Sequence, residues 1–117
     1  MSTLPAVHLF TVEEFRRMGE AGVFPPDRRF ELIDGQIIAV SPAAPPHTQA
    51  VMVLNRLLSR QNRYFVSVQN PAEMSRHDQP EPDLALVEMA AYDELDHKSL
   101  SKKYLPRLTI IFSHHTS

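Results

Sequence analysis

The segment from residue 30 to residue 40 constrains the fold more than any other part of this sequence. It places the pair Asp34-Gly35 between two short stretches of β-prone residues. Such a pair favours a two-residue type I′ turn, because both central residues of that turn need positive φ. The hairpin register that follows sets Glu31 opposite Ile38. Since side chains alternate along a strand, Glu31 then faces away from the apolar residues on either side of it.

Two helices are predicted, one before and one after this hairpin. The first begins with a capping box, in which the Thr11 hydroxyl accepts from the Glu14 N–H and the Glu14 carboxylate accepts from the Thr11 N–H. It runs over about residues 12–20. The second runs over about residues 47–64, where apolar side chains recur with a helical period, and we expect that apolar face to pack across a sheet. Its members are Ala50, Val51, Leu54, Leu57 and Leu58.

Three further strands are predicted, at about residues 64–69, 83–87 and 106–112, with a polar loop over residues 90–103. The order of helix, hairpin, helix and strands predicts an α/β (α+β) arrangement, with one central mixed sheet flanked by helices. The chain has 117 residues, enough for one domain and too few for two. We therefore expect a single domain over residues 1–117.

Composition excludes several classes of protein. There is no cysteine, so a disulfide, a thiol nucleophile and a thiolate metal site are all excluded. The longest apolar runs, about five residues, are far too short to span a membrane, and the N-terminus lacks the pattern of a signal peptide. The cytoplasm is therefore the expected location. A net charge of −2 argues against DNA binding by bulk electrostatics alone.

Two acidic residues are candidate metal ligands, Glu31 in the hairpin and Asp83 at the start of a strand. Phosphodiester hydrolysis at a bound Mg²⁺ needs carboxylates that hold the metal without closing its coordination shell. A nearby lysine can orient the attacking water. Taken alone, a glutamate in a hairpin is usually a solvated polar residue, and an aspartate after proline is usually a strand entry. The residue types therefore leave both roles open.

Four segments together resemble the Uma-two family of restriction-endonuclease-like proteins, within the PD-(D/E)XK superfamily. They occur in the family's order and at natural spacings, between about residues 9 and 87. The segments are residues 11–15, residues 30–38, Ser41-Pro42 with His47 at the start of a helix, and residues 82–87. The resemblance implies a restriction-endonuclease-like sheet, Mg²⁺ as the cofactor and DNA as the substrate.

Carried over residue by residue, the resemblance makes Asp83 and Glu31 the metal-binding and catalytic acids, and it places His47 near the site. A separate feature is the basic side of the second helix. Arg56 and Arg60 lie there and are candidates for contacts with a phosphate backbone. A solvated helix face explains both arginines as well.

The resemblance stops after about residue 87. In the family, the next strand carries a metal-binding glutamate, and a lysine follows further on. Here Phe112 stands at the position of the glutamate, and the chain ends five residues later. We therefore expect residues 88–117 to be divergent, through truncation or a change of reading frame, and the chain to be inactive as a nuclease. The alternative is a non-catalytic module that binds nucleic acid or protein. An open sheet edge predicts self-pairing into a homodimer.

Overall fold

The computed structural model describes residues 5–41, 45–94, 100–105 and 107–112. Its mixture of helices with mostly antiparallel strands confirms the predicted α+β class. Pro42 and residues 113–117, which were interpreted from the sequence, lie outside the described residues. The elements are α1 Val12–Glu20, β1 Arg29–Ile33, β2 Gln36–Val40, α2 Pro45–Leu58, β3 Tyr64–Val68, β4 Ala72–Glu73, β5 Leu84–Glu88, α3 Met89–Asp93, β6 Leu100–Ser101 and β7 Thr109–Phe112.

The helix and hairpin at the N-terminal end form as predicted. α1 begins at the capping box, in which Glu14 N donates to Thr11 Oγ1 at 3.1 Å and Thr11 N donates to Glu14 Oε1 at 2.9 Å. β1 and β2 pair antiparallel in the predicted register over five residue pairs. Asp34 and Gly35 have φ values of 49° and 75°, as a type I′ turn requires. The local sequence signals in this region are therefore confirmed.

Within the described residues the strands form three small sheets, whereas one central sheet was expected from the sequence. Besides the β1–β2 hairpin there is an antiparallel sheet in the order β3-β5-β7 and a short parallel pair, β4-β6. An antiparallel bridge between Leu32 and Gln79 joins the hairpin to the rest of the chain, with backbone hydrogen bonds of 2.8 and 3.3 Å. This bridge brings the segment that leads into β5 beside β1.

β5 is the central strand of the three-stranded sheet and contributes to the main hydrophobic core. The buried members of that core are Ala72, Ala85, Val87, Leu100, Leu105 and Leu108. On the β7 side the register shifts between Leu84 and Ala85, because β7 has one extra residue there, Ile111. Such a bulge bends the strand locally. It lies at the end of β5 that is next to Asp83.

α2 is shorter than predicted and buries less of its apolar face. It ends at Leu58, because the Gln61 side chain bonds the backbone of the following turn, donating to Leu58 O and Tyr64 O at 2.8 Å each. Val51 is the buried residue of this helix. The helix contacts β3, but Leu57, which was assigned to its apolar face, is 50% exposed.

Within the described residues, no helix is both long and apolar enough to cross a membrane. The predicted cytoplasmic location stays a prediction.

Candidate active site

Asp83 lies directly before β5 and is 0% exposed. Its carboxylate is bonded from two sides. His47 Nε2 lies 2.9 Å from Asp83 Oδ2, and Gln69 Nε2 donates to Asp83 Oδ1 at 3.4 Å. The Gln69 backbone N–H also donates to the Asp83 carbonyl, at 3.1 Å. A buried carboxylate is costly unless it is hydrogen-bonded, so these contacts are what make burial of Asp83 tolerable.

His47 reaches Asp83 from the first turn of α2. The helix begins with Pro45 and Pro46, and proline suits a first turn because the N–H groups there have no partner within the helix. The His47 side chain is 18% exposed, so it lies between the buried Asp83 carboxylate and the surface. The helix start thus sets the position of the predicted site-lining histidine.

Glu31 lies in β1 opposite Ile38 and is also 0% exposed. Its Oε1 accepts a hydrogen bond from the backbone N–H of Glu81. The Leu32–Gln79 bridge holds the same segment against β1. The Glu31 carboxylate therefore adds a second attachment to β1, two residues before Asp83. The hairpin and the strand that carry the two predicted acids are therefore joined through this segment.

Glu81 is a third acid at this site, and the sequence analysis missed it. Its Oε2 forms an ion pair with Arg29 Nε at 2.8 Å. Burial raises the pKa of the Glu81 carboxyl above its usual value; Arg29 opposes this rise, and the negative charges of Glu31 and Asp83 add to it. The sequence signal was available, since residues 81 and 83 are two apart in an extended segment and such residues share a face.

The acidic side chains and His47 do not form a metal centre in this geometry. Across the described residues, no group of three His, Asp or Glu side chains is arranged to hold a metal ion. β7 pairs with β5 beside Asp83, yet its sequence, Thr-Ile-Ile-Phe, contains no carboxylate. Its residue Phe112 pairs with Leu84, directly after Asp83. Since Mg²⁺ binds oxygen ligands with near-octahedral geometry, the residues present do not fit this ion.

A cleft of about 470 Å³ is lined in part by Gln69, which donates to Asp83, and by Arg29, which pairs with Glu81. We call it the Arg28 cleft. Gln69 has a φ of 52°, which is uncommon for a residue other than glycine. The residues that line the cleft are Asp27, Arg28, Arg29, Ala39, Val40, Ser41 and Gln69.

The two arginines predicted to bind nucleic acid lie apart from these contacts. Arg56 is in the last turn of α2 and Arg60 is two residues beyond the end of the helix, and both are exposed. In the part of the chain that the structure describes, no hydrogen bond or ion pair joins either arginine to Glu31, His47 or Asp83.

Comparison with protein families gives one match. Residues 12–109 match the model of the Uma2 family, which is described as "Putative restriction endonuclease". The match includes Glu31, His47, Glu81 and Asp83, and it extends beyond residue 87, where the resemblance was expected to stop. A comparison with curated proteins gives no match.

Proposed function

Because this chain belongs to the Uma2 family, we propose that it is an endonuclease-fold domain that engages DNA and does not cleave it. Asp83 and Glu31 are the acids that it retains from an Mg²⁺-dependent catalytic centre. The observation that carries the proposal is the composition of β7, the partner strand of β5. None of its four residues can supply a carboxylate beside Asp83.

The contacts of the retained acids support the same conclusion. Asp83 is bonded to His47 and Gln69, and Glu31 holds the backbone of residue 81. Glu81, the nearest additional carboxylate, is paired with Arg29. A catalytic Mg²⁺ acidifies a water and stabilises charge on the scissile phosphate, but only when its ligands hold it in place. His47 acts here as a positioning residue, which fixes the Asp83 carboxylate.

A cleavage assay tests this proposal. The purified chain is incubated with supercoiled plasmid or single-stranded DNA, together with Mg²⁺ or Mn²⁺. We expect no nicking above the level of an Asp83→Asn variant, which keeps the shape of the side chain and removes its charge. Metal-dependent cleavage by the unaltered chain that disappears in folded Asp83→Asn would overturn the proposal.

A second candidate is a non-catalytic module that acts through surfaces away from the acids. The exposed Arg56 and Arg60 favour nucleic acid as the ligand of such a module. β7 is an edge strand of its sheet, and its Ile111 is 40% exposed. Exposed apolar edge strands favour self-pairing, so the predicted homodimer stays a proposal that sedimentation equilibrium can test.

A further inference from the structure

We propose that the Arg28 cleft binds a phosphodiester group of a nucleic-acid strand, with Arg28 as the main ligand of the phosphate. This inference rests on the proposed function, because it assigns the surface by which the domain engages DNA. It differs from the expectation drawn from the sequence, which placed that surface on α2 at Arg56 and Arg60.

The first argument is the state of the two arginines in the cleft. The Arg29 guanidinium is engaged by Glu81. The Arg28 side chain is exposed, and in the described part of the chain no carboxylate forms an ion pair with it. Its charge and its donors therefore remain for a ligand, and a guanidinium matches the geometry of a phosphate.

The second argument is that Arg28 is held in place. Its guanidinium carbon lies 5.5 Å from the centre of the Phe30 ring, as in a cation–π contact. Phe30 stacks on Phe24 at 4.9 Å, and Phe24 contacts Phe15 of α1 at 5.2 Å. These three rings line a neighbouring cleft of about 270 Å³ that Arg28 also shares, so the contact restrains the arginine where the two clefts meet. A restrained side chain loses less conformational entropy when it binds, which favours affinity.

The third argument is the chemistry of the remaining walls. Ser41 and Gln69 have side chains that donate hydrogen bonds, while Ala39 and Val40 form an apolar side suited to a sugar. The volume of about 470 Å³ is within the range of ligand sites, roughly 300–1,000 Å³. Asp27 also lines the cleft, and its carboxylate opposes the binding of an anion.

The fourth argument is position. Gln69 belongs to the cleft and also donates to Asp83, so a strand bound in the cleft lies next to the acids. Three carboxylates there would repel a phosphate. Arg29, which also lines the cleft, pairs with one of them, Glu81, and this positive charge lowers the repulsion.

Fluorescence anisotropy with an end-labelled 12-nucleotide single strand and a 12-base-pair duplex tests the inference at several salt concentrations. We expect Arg28→Gln to weaken binding about tenfold, as the loss of one charged phosphate contact predicts. The plot of log binding constant against log salt concentration should become less steep by about 0.7–0.9, because one counterion fewer is released on binding. Arg28→Lys should keep most of the affinity. Asp27→Asn should bind more tightly than the unaltered chain.

The matched control is Arg56→Gln, which removes the same charge from an exposed arginine of α2. We expect it to change affinity less than twofold. If Arg28→Gln and Arg56→Gln lost affinity equally, or Arg56→Gln lost more, binding at the cleft would be contradicted. The proposed engagement of DNA would stand. No binding by the unaltered chain would overturn the proposed function itself. Thermal melts of each variant confirm that folded proteins are compared.

Discussion

The β1–β2 hairpin and the β5–β7 strand pair each lie beside one buried acid, but they are assembled differently. The hairpin is closed by a two-residue turn and keeps one register over its whole length. β5 and β7 are separated by residues 89–108, and their register shifts next to Asp83. The strand position of Glu31 is thus set by local sequence, while its carboxylate also accepts from the remote Glu81 backbone. Asp83 depends on contacts from His47 of α2 and from Gln69, directly after β3, both of which are remote in sequence.

This difference shows which of the two acids depends more on distant parts of the chain. The register of the hairpin follows from its turn, although the turn is also bonded to residues 77 and 78, at 2.8 and 2.7 Å. The β5–β7 pair depends on what the last strand contributes, and here that strand contributes no carboxylate. Both acids are buried and hydrogen-bonded.

The largest effect is expected on the β5 side, from removing a buried side chain. Leu84→Ala should lower the free energy of unfolding by about 2–5 kcal/mol, because Leu84 is 0% exposed and its loss leaves a cavity. Leu57→Ala is the matched control on α2 and should change it by less than about 0.5 kcal/mol, since Leu57 is half exposed. Urea denaturation measures both. Equal losses would mean that Leu57 is covered in solution.

An intermediate effect is expected in the hairpin turn. A Cβ added at Gly35 would lie 2.7 Å from Leu9 Cβ, and φ there is +75°. Left-handed strain and this clash together predict that Gly35→Ala lowers the free energy of unfolding by about 2–3 kcal/mol.

Gly22→Ala separates the two causes. Gly22 has a φ of +77° and nothing within 4 Å of an added Cβ, so only the strain remains. We expect a loss of about 1 kcal/mol for this variant. If thermal or chemical denaturation gave the same loss at both glycines, the contact between Leu9 and the hairpin turn would not contribute to stability.

The smallest effect comes from giving β7 the group that it lacks. Ile110 pairs with Ala85, which is two residues from Asp83 and therefore on the same face of the sheet. Ile110→Glu should make melting sensitive to Mn²⁺, with a stabilisation of about 0.4 kcal/mol at a concentration equal to Kd. Thr109→Glu, whose partner Leu86 lies on the other face, should stay insensitive. A folded Ile110→Glu variant with no response to metal would show that a carboxylate on β7 is not sufficient for metal binding.

The same contrast explains how much could be predicted from the sequence. The capping box at Thr11 and the Asp34-Gly35 turn are local, so short patterns were sufficient for α1 and for the hairpin register. Periodicity identified the apolar residues that share a face of α2, but it does not show whether a sheet covers them. Leu57 is an example: it has the correct spacing, yet half of its surface remains exposed.

The site was predictable in part for the same physical reason. Glu31 and Asp83 carry motifs that a family resemblance can identify. The Arg29–Glu81 ion pair and the Gln69 contacts arise only when distant segments meet. The end of α2 was likewise not predictable. The Gln61 side chain bonds the backbone there, but the sequence has no common capping pattern at that point.

The hydrogen bond from the Glu81 backbone to the Glu31 carboxylate has a consequence for how such a chain evolves. An acid that served only chemistry would be free to drift once the chemistry was gone. Here the same carboxylate joins two segments of the fold. A substitution at position 31 would therefore lower the stability of the fold, whether or not it affects catalysis. Selection on folding alone would then keep this acid in place, so its presence is not by itself evidence of catalysis.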